Sequence, residues 1–316
     1  MTTLLVASTG GHLKQLHRLH GRFTGVEGPF RWATFETSQS RSLLAGEPVD
    51  YVPFVGGRDP GNVLRNAPVA WQILRRHRID TVISTGSAVA LPFFAVARVR
   101  GLRCHYVESA ARSEGPSMTG SLISRIPGVE LYAQYPTWSA GRWGFRGAVF
   151  DSFEPGEPAA TPGEIAKVVV SLGTYRGYGF ARLIRRLQAI LPPDAEVLWQ
   201  TGDTDVTGLG IVGHESIPER DLMQAIAGAD VIVAHAGVGT ALAAFEVGAC
   251  PILVPRRFAR GEHVDDHQIQ IASELERRDL VLSVDADDLT LDHLLTAARR
   301  RVTTVVPEPA FELQGA

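Results

Sequence analysis

The sequence predicts an α/β protein with two parallel, doubly wound sheets. In the first half, short apolar runs at residues 4–7 and 81–84 alternate with amphipathic stretches such as residues 64–77. Strands that alternate with helices in this way are typical of a parallel sheet with helices on both faces. The same alternation begins again at residues 167–171 and continues to about residue 300. We therefore expect two α/β domains of the same construction.

Chain length and local composition predict the domain boundaries. A chain of 316 residues can form two domains, each with its own hydrophobic core. Residues 149–163 are rich in Gly, Pro, Glu and Ala and show neither a helical nor a strand period, which is typical of a linker. We predict a first domain over residues 1–148, a second over 164–302 and a C-terminal tail over 303–316. The tail either folds back on the first domain or stays loose.

Composition and charge exclude several classes of protein. A hydrophobic content of 45% with a net charge of −3 describes a globular protein without the strongly basic balance of a nucleic-acid groove. No apolar run reaches the ~20 residues that span a bilayer, and no basic segment follows Met1, so neither a membrane helix nor a signal peptide is expected. Cys104 and Cys250 lie in apolar, strand-like surroundings that predict buried thiols in a reducing compartment. We expect a cytoplasmic protein whose membrane contact is peripheral, on the inner face of the plasma membrane.

A glycine turn after a buried strand is the most informative feature of the second half. The strand at residues 230–233 runs into the segment AHAGVGT, residues 234–240, and then into a helix. Gly237 and Gly239 let a ligand approach the backbone closely, and amides at a helix N-terminus favour an anion. The segment SLGT, residues 171–174, also follows a strand and is expected on the other side of the same ligand. These turns predict a diphosphate site.

A polar run follows the next apolar strand of the second half. The segment VPRRFARGEHVDDHQ, residues 254–268, supplies imidazoles, carboxylates, an amide and arginines at the same sheet edge. Sugar hydroxyls both donate and accept hydrogen bonds, so amides and carboxylates suit them. Arg256 and Arg257 are interpreted either as phosphate partners or as solvated loop charges. A nucleotide that carries a sugar fits this set of groups.

Both segments resemble a known group of enzymes. HAGVGT and VPRRFARGEHVDDHQ are similar to the C-terminal half of GT-B glycosyltransferases that include MurG, Alg13 and bacterial capsular and exopolysaccharide transferases, with the family 28 type of C-terminal domain. STGGHL, residues 8–13, and HYVES, residues 105–109, resemble signature segments of Alg14. The chain thus resembles an Alg14-like half fused to an Alg13-like half, over roughly residues 3–300. The resemblance implies the GT-B fold, in which two Rossmann-like domains face each other across a cleft.

The resemblance implies that the second half binds the donor. It implies that His235, Gly237, Gly239 and Thr240 bind the diphosphate and that Asp266, His267 and Gln268 lie around the sugar. From the turns themselves, we add Ser171, Gly173, Thr174 and Val238 to the residues expected at the diphosphate. This chain departs from the family at Ala243, where Alg13 and MurG carry a ribose-binding glutamate. Glu246, nearly one turn further along the helix, either reaches the ribose or is an ordinary exposed charge. Tyr175, Arg176 and Tyr178 are expected to touch either substrate.

The first half is expected to bind the acceptor and supply the base. Inverting transfer needs a group that takes the proton from the attacking hydroxyl, and histidine suits this because its pKa lies near working pH. His12 follows two glycines at a strand end, as a histidine does in MurG, and is the first candidate. Glu108, at the end of another strand, is the rival base. The expected acceptor-binding residues are Gly10, Gly11, Thr85, Gly86, Ser87 and Arg112.

The sequence therefore predicts an inverting glycosyltransferase that moves a hexose or N-acetylhexosamine from a UDP-sugar to a lipid-linked saccharide. No cofactor or metal is expected, since GT-B enzymes generally manage without a bound cation and residues 285–288 are interpreted as helix N-terminal charge. One alternative is a nucleotide-sugar-binding subunit without catalysis, which Ala243 favours. Another is a dinucleotide oxidoreductase, but Leu242 stands where its glycine fingerprint needs a small third residue.

Overall fold

Short apolar runs form the strands of two separate parallel sheets. The computed structural model describes residues 2–26, 28–56, 60–159, 164–174 and 177–314. The first of its two units comprises Met1–Val149 together with Glu308–Ala316, and the second comprises Phe150–Pro307. Each unit has a parallel sheet covered by helices, which confirms the predicted α/β class with two Rossmann-like domains.

The first unit contains a seven-stranded sheet. The strands of this part of the chain are β1 (Thr2–Val6), β2 (Phe23–Thr24), β3 (Phe30–Thr34), β4 (Val49–Tyr51), β5 (Ile79–Ser84), β6 (Arg103–Val107), β7 (Val129–Ala133) and β8 (Trp143–Phe145). The helices are α1 (Gly11–His20), α2 (Ser38–Leu43), α3 (Pro60–Arg76), α4 (Ala90–Val99) and α5 (Met118–Ile123). The sheet order is β4-β3-β1-β5-β6-β7-β8, and all pairings are parallel. The chain leaves β1 for β3 on one side and returns to β5 on the other.

The second unit repeats this plan with a six-stranded parallel sheet, beside which β9 and β16 form a separate pair. Its strands are β9 (Phe153–Gly156), β10 (Lys167–Ser171), β11 (Glu196–Gln200), β12 (Gly213–His214), β13 (Val231–His235), β14 (Ile252–Val254), β15 (Leu282–Ser283) and β16 (Arg301–Thr304). Its helices are α6 (Ala181–Ile190), α7 (Glu219–Ala227), α8 (Val238–Glu246), α9 (His267–Arg277) and α10 (Leu291–Arg299). The parallel sheet has the order β12-β11-β10-β13-β14-β15.

The strand order locates a ligand crevice in each sheet. In an open parallel sheet, ligands bind outside the carboxyl ends of the two strands between which the direction of winding reverses. In the first unit these strands are β1 and β5, and in the second unit they are β10 and β13. The loops that follow these four strands contain the glycine turns that the sequence singled out. We call each such place the switch point of its unit.

The buried faces explain the apolar runs. Leu4, Leu5 and Val6 are all fully buried, because both faces of a parallel sheet are covered and successive side chains point to opposite faces. Cys104 and Cys250 are free thiols and buried, as expected, and burial raises their pKa values to about 12 and about 11. Within the described ranges, no helix has the length and apolarity needed to cross a bilayer.

The predicted linker is wrong over part of its length. Phe153–Gly156 forms β9, which pairs antiparallel with β16 in the second unit. The strand period is hidden there because Pro155 and Gly156 fill half of the strand, and proline is tolerated in such short edge pairs. Residues 160–163 of the predicted linker lie outside the described residues.

The end of the chain returns to the first unit. A further strand, β17 (Phe311–Glu312), pairs parallel with β2. Phe311 is fully buried and its ring lies 5.6 Å from the ring of Phe23 and 5.7 Å from that of Tyr132. The predicted tail, residues 303–316, thus folds back on the first unit only from Glu308, whereas residues 303–307 belong to the second unit and include the end of β16.

Candidate active site

Two hydrogen bonds join the loops at the switch point of the first unit. Nδ1 of His12 lies 2.8 Å from the carbonyl oxygen of Thr85, and the Thr85 hydroxyl donates to the carbonyl oxygen of His12 at 2.8 Å. A carbonyl can only accept, so Nδ1 carries the proton. The lone pair of the neutral imidazole is then on Nε2, which is the arrangement that a general base requires.

Glycines make this close approach possible. Gly86 has a φ of 113°, and a Cβ at this position would lie 3.0 Å from Oη of Tyr106 and 3.1 Å from Cε1 of His12. Gly10 has a φ of 86° and donates its amide to Oε1 of Gln39 at 2.6 Å. The loops after β1 and β5 thus bring together His12 and five of the residues expected to bind the acceptor, which are Gly10, Gly11, Thr85, Gly86 and Ser87.

Glu108, the rival base, is fully buried after β6. Its carboxylate accepts hydrogen bonds from the amide of Ser109 at 2.9 Å and from the amide and hydroxyl of Ser117 at 2.9 and 3.1 Å. Burial raises the pKa of Glu108, and these hydrogen bonds and the charge of Arg112 oppose the rise. A Cβ at Gly120 would overlap the carboxylate. Through these contacts the carboxylate of Glu108 fixes residues 109–120. They favour a positioning role for Glu108 over the role of a base.

Arg112, the remaining predicted acceptor residue, is half-buried in the loop that Glu108 fixes. Its amide donates to the carbonyl oxygen of Ser109 at 2.9 Å, and its own carbonyl oxygen accepts from the indole of Trp138 at 3.0 Å. The backbone of Arg112 is therefore held on both sides. An acceptor contact through its guanidinium stays a prediction.

A histidine also joins the loops at the switch point of the second unit. Nδ1 of His235, at the end of β13, lies 3.2 Å from the carbonyl oxygen of Ser171, at the end of β10. The imidazole lies between two glycines. A Cβ at Gly173 would be 2.6 Å from Nε2 of His235, and a Cβ at Gly237 would overlap the same ring. The sequence had assigned the space beside Gly237 to phosphate, but in the structure the His235 ring fills it.

The electrostatic environment keeps His235 neutral. Burial and the positive charge of Arg256 lower the pKa of His235 to about 3, although the hydrogen bond to Ser171 opposes the shift. Since Nδ1 donates to a carbonyl, Nε2 is an acceptor and does not attract an anion. His235 therefore shapes this loop, and an anion at the switch point depends on the backbone amides.

Those amides lie at the start of α8. Its N-cap residue is Gly237, and no side chain caps the helix. The first amides of a helix lack acceptors within the helix. The amides of Val238, Gly239 and Thr240 can therefore donate hydrogen bonds to an anion. The Thr240 hydroxyl is 3.2 Å from that of Ser171, which also accepts from Gln200 at 3.1 Å. Ser171 and Thr240 thus use their hydroxyls to join β10, β11 and α8.

Ion pairs fix the polar run at residues 254–268. Arg182 donates to both carboxylate oxygens of Glu262, at 2.9 and 3.1 Å, and also pairs with Asp285. Arg257 donates to Asp285 at 2.9 Å, and Arg260 to Asp287 at 2.9 Å. The interpretation of residues 285–288 as helix N-terminal charge is wrong, because α10 begins only at Leu291 and these aspartates hold arginines.

The three residues predicted for the sugar have different surroundings. Gln268 is buried, and its Oε1 accepts from the amide of Arg256 at 3.0 Å. Asp266 is exposed and accepts from the amide of Phe258 at 2.9 Å, while His267 is hydrogen-bonded to Asp265. Asp266 and His267 remain candidates for the sugar, whereas Gln268 holds the loop.

A histidine–aspartate cluster was missed in the sequence. His263, Asp265 and His267 place one possible ligand atom each within 4.8 Å of one another. The spacing His-x-Asp-x-His was the signal that could have found it. Tyr178, which the sequence assigned to either substrate, stacks on His263 with ring centroids 5.7 Å apart. Tyr175 and Arg176 lie outside the described residues.

Ala243, which stands where the resemblance implies a ribose-binding glutamate, has apolar surroundings. Ala243 is buried in a small apolar cluster with Leu222 and Ile226. Glu246 is exposed at the last residue of α8. Eight residues of helix separate it from Val238, which is about 12 Å at the usual helical rise. Glu246 is thus too far along the helix to touch the diphosphate, and its contact with the ribose stays a prediction.

The fold and the two switch points are those of a GT-B glycosyltransferase, and comparisons with known proteins agree with this class. The family model described as glycosyltransferase family 28 C-terminal domain matches residues 169–300. A UDP-N-acetylglucosamine–N-acetylmuramyl-(pentapeptide) pyrophosphoryl-undecaprenol N-acetylglucosamine transferase from Albidiferax ferrireducens is 27% identical over 299 residues, which cover 84% of this chain and 74% of the relative.

Solved structures are similar over most of the chain. MurG from Acinetobacter baumannii has a TM-score of 0.56 and 20% identity, and the match covers 94% of this chain and 89% of MurG. A putative UDP-N-acetylglucosamine 2-epimerase from Listeria monocytogenes has a TM-score of 0.62 at 9% identity, with 94% and 86% covered. Likenesses at such identities show the fold. The chain has the GT-B fold. Together with the family match and the sequence relatives, this makes it a MurG-like glycosyltransferase, as its sequence motifs predicted.

Proposed function

We propose that this glycosyltransferase moves a hexose or N-acetylhexosamine from a UDP-sugar to a lipid-linked saccharide, with inversion. The observation that carries the donor assignment is the uncapped N-terminus of α8 at the switch point of the second unit. The name of the Albidiferax ferrireducens relative gives a UDP-sugar donor and an undecaprenol-linked acceptor, which supports the same two substrate classes here.

The departing diphosphate is stabilised by main-chain donors. Negative charge develops on the leaving group as the glycosidic bond breaks, and fixed amides that point at it lower the barrier without having to reorganise. The amides of Val238, Gly239 and Thr240 take this role in our proposal. The hydroxyls of Ser171 and Thr240 keep the two loops in place.

His12 takes the proton of the acceptor hydroxyl in this mechanism. Its Nδ1 is held by the carbonyl oxygen of Thr85, so Nε2 presents the lone pair. Glu108 supports the acceptor loop in our assignment, because three hydrogen bonds already engage its buried carboxylate. No cofactor is required for either step.

A basic and apolar face on the first unit supports contact with a membrane surface. Leu64 and Trp71 on α3 are 75% and 46% exposed, and the guanidinium of Arg100 lies 5.6 Å from the Trp71 ring. Arg75 and Arg76 lie at the end of the same helix. Exposed apolar groups beside arginines suit anionic lipid, so we assign this face to peripheral binding at the inner membrane, where a lipid-linked acceptor would be found.

A ligand panel followed by an assay tests the proposal. Thermal unfolding is measured with UDP, UDP-glucose, UDP-galactose, UDP-glucuronate and UDP-N-acetylglucosamine, and with NADP as the control. A specific ligand at 100 times its Kd adds ~2.7 kcal/mol to the free energy of unfolding. We expect stabilisation by UDP and one UDP-sugar, and then UDP release when a polyprenyl-linked saccharide is added.

Two outcomes would contradict this function. Stabilisation by NADP alone would favour the oxidoreductase. Stabilisation by a UDP-sugar without UDP release on any lipid-linked acceptor, or on water, would favour a binding subunit.

A further inference from the structure

Arg256 is a buried guanidinium for which no carboxylate contact is found among the described residues. It follows β14 by two residues and is 1% exposed. Its Nη2 donates to the carbonyl oxygen of Leu172 at 2.7 Å, and its guanidinium carbon lies 5.7 Å from the centroid of the Phe180 ring. Among the described residues, Nε and Nη1 have no hydrogen-bond partner. Burial of a cation without a counter-charge is costly, so the feature needs an explanation.

Neighbouring charges of the same loop do not supply the counter-charge. Glu262 attracts Arg256, but its carboxylate is held by two nitrogens of Arg182 and by the amide of Arg257. Arg257 and Arg260 have aspartates of their own. Arg256 thus differs from the other two arginines of the run, because it is both the most buried and the one without a carboxylate in contact.

Arg256 lies close to the switch point of the second unit. Leu172, which accepts its hydrogen bond, is the first residue after β10. Its positive charge acts on the His235 imidazole, and that ring is in contact with the Gly237 position at the start of α8. The guanidinium and the amides of α8 therefore place positive potential on the same side of the sheet edge. A buried charge is screened by salt far less than an exposed one.

We propose that Arg256 selects for the diphosphate of the donor, by placing an unscreened positive charge behind the His235–Gly237 turn that a diphosphate, but not an uncharged nucleoside, can compensate. This inference rests on the proposed function. Arg256 acts through the turn and is a positioning residue. Burial lowers its pKa to about 10, so it keeps its charge at neutral pH.

The test is a series of ligands that differ in the number of phosphate groups, and therefore in charge. Calorimetric titrations with uridine, UMP and UDP are run on the full chain, on Arg256→Met and on Arg260→Met. Arg260 is the matched control because it lies in the same run but is 52% exposed and paired with Asp287. For Arg256→Met we expect UDP affinity to fall about tenfold or more, UMP affinity to fall less and uridine affinity to stay unchanged, because the attraction of a buried positive charge grows with the negative charge of the ligand. Arg260→Met should bind all three like the wild type.

A second readout separates this role from a structural one. If Arg256 only anchors Leu172, its removal lowers the thermal midpoint and weakens all three ligands by the same factor. Our proposal expects a ligand-free midpoint equal to or above that of the wild type, since an uncompensated buried charge is removed. Should Arg256→Met fail to fold, Arg256→Gln keeps a donor for Leu172 and undergoes the same titrations.

The outcomes distinguish this inference from the function on which it rests. Wild-type protein that binds no UDP overturns the donor site and the inference together. Wild-type protein that binds UDP, with equal affinity losses for uridine and UDP in Arg256→Met or Arg256→Gln, overturns the inference alone. A loss that grows with the charge of the ligand supports it.

Discussion

The two switch points share one local geometry, a histidine held by a main-chain carbonyl oxygen, in different surroundings. In each, a histidine bonds through Nδ1 to a carbonyl oxygen at the carboxyl end of the neighbouring central strand, that of Thr85 for His12 and that of Ser171 for His235. In each, a glycine with positive φ gives the imidazole its space, Gly86 in the first unit and Gly173 in the second. The geometry that orients a histidine is therefore common to both units.

A buried positive charge acts on the second of the two histidines. Burial and the charge of Arg256 lower the pKa of His235 to about 3, so it stays neutral at any working pH. His12 is half-buried at the start of α1, next to the residues that we expect to bind the acceptor. In our proposal, the same local geometry serves proton transfer in the first unit and a rigid anion site in the second.

The largest effect is expected from removal of the base. His12→Ala should reduce turnover by ~10² to 10⁴, which is the usual contribution of a general base. UDP affinity should be unchanged, because the donor turn belongs to the other unit. Steady-state rates and UDP titrations measure the two quantities, and His17→Ala on the same helix is the control.

Glu108→Gln is the parallel test of the rival base. We expect lower thermal stability and a smaller loss of turnover than in His12→Ala, because the carboxylate holds residues 109–120. If His12→Ala keeps normal turnover and Glu108→Gln loses it with its stability intact, the two roles must be exchanged.

The next largest effect concerns donor affinity. In Gly173→Ala, the added methyl group would lie 2.6 Å from the His235 ring and displaces the donor turn. We expect UDP affinity to fall about tenfold, a change of ~1.4 kcal/mol. Gly177→Ala is the control, since Gly177 also has a positive φ but has open space around its Cβ position. Equal losses in the two variants would mean that backbone strain, and not the histidine, is responsible.

The corresponding change in the first unit should affect turnover alone. Gly86→Ala places a methyl group 3.1 Å from the His12 ring at a φ of 113°. We expect turnover to fall several-fold with UDP affinity unchanged. Gly46→Ala, with a φ of 89° and open space, shares the cost of positive φ, ~1–2 kcal/mol, but should keep its turnover. A loss of UDP affinity in Gly86→Ala would contradict the assignment of the donor to the second unit and of the acceptor to the first.

The smallest effect concerns how the free energy of unfolding depends on pH between 7.0 and 5.5. The pKa of His235 is about 3 in the folded protein and 6.5 in the unfolded chain, so below pH 6.5 the unfolded chain binds the additional proton. Acidification from pH 6.5 toward 3 therefore lowers the free energy of unfolding by up to ~1.4 kcal/mol per pH unit from this residue. Denaturant unfolding at pH 7.0 and 5.5 measures it. In His235→Asn this part of the pH dependence should be absent, and an unchanged slope would refute the assignment.

Part of this comparison was predictable from the sequence. Alternating apolar runs predicted both sheets, and glycines directly after strands predicted the loops at 10–12, 85–87, 171–174 and 235–240, because these signals are local. The partners of the side chains were not predictable. The contacts of His12 with Thr85 and of Arg256 with Leu172 join residues 73 and 84 positions apart, and they depend on strand order. For the same reason, no local pattern indicated that His235 fills the space beside Gly237.

Hydrogen exchange with UDP tests the central claim, that the second unit holds the diphosphate at the start of α8 while the first unit serves the acceptor. Amide exchange is followed by mass spectrometry with and without saturating UDP. We predict slower exchange in peptides that cover residues 171–174 and 236–241, with little change in those that cover residues 8–13 and 85–90. Protection confined to residues 8–13 and 85–90 would contradict the claim, because it would place the nucleotide on the unit to which we assign the acceptor.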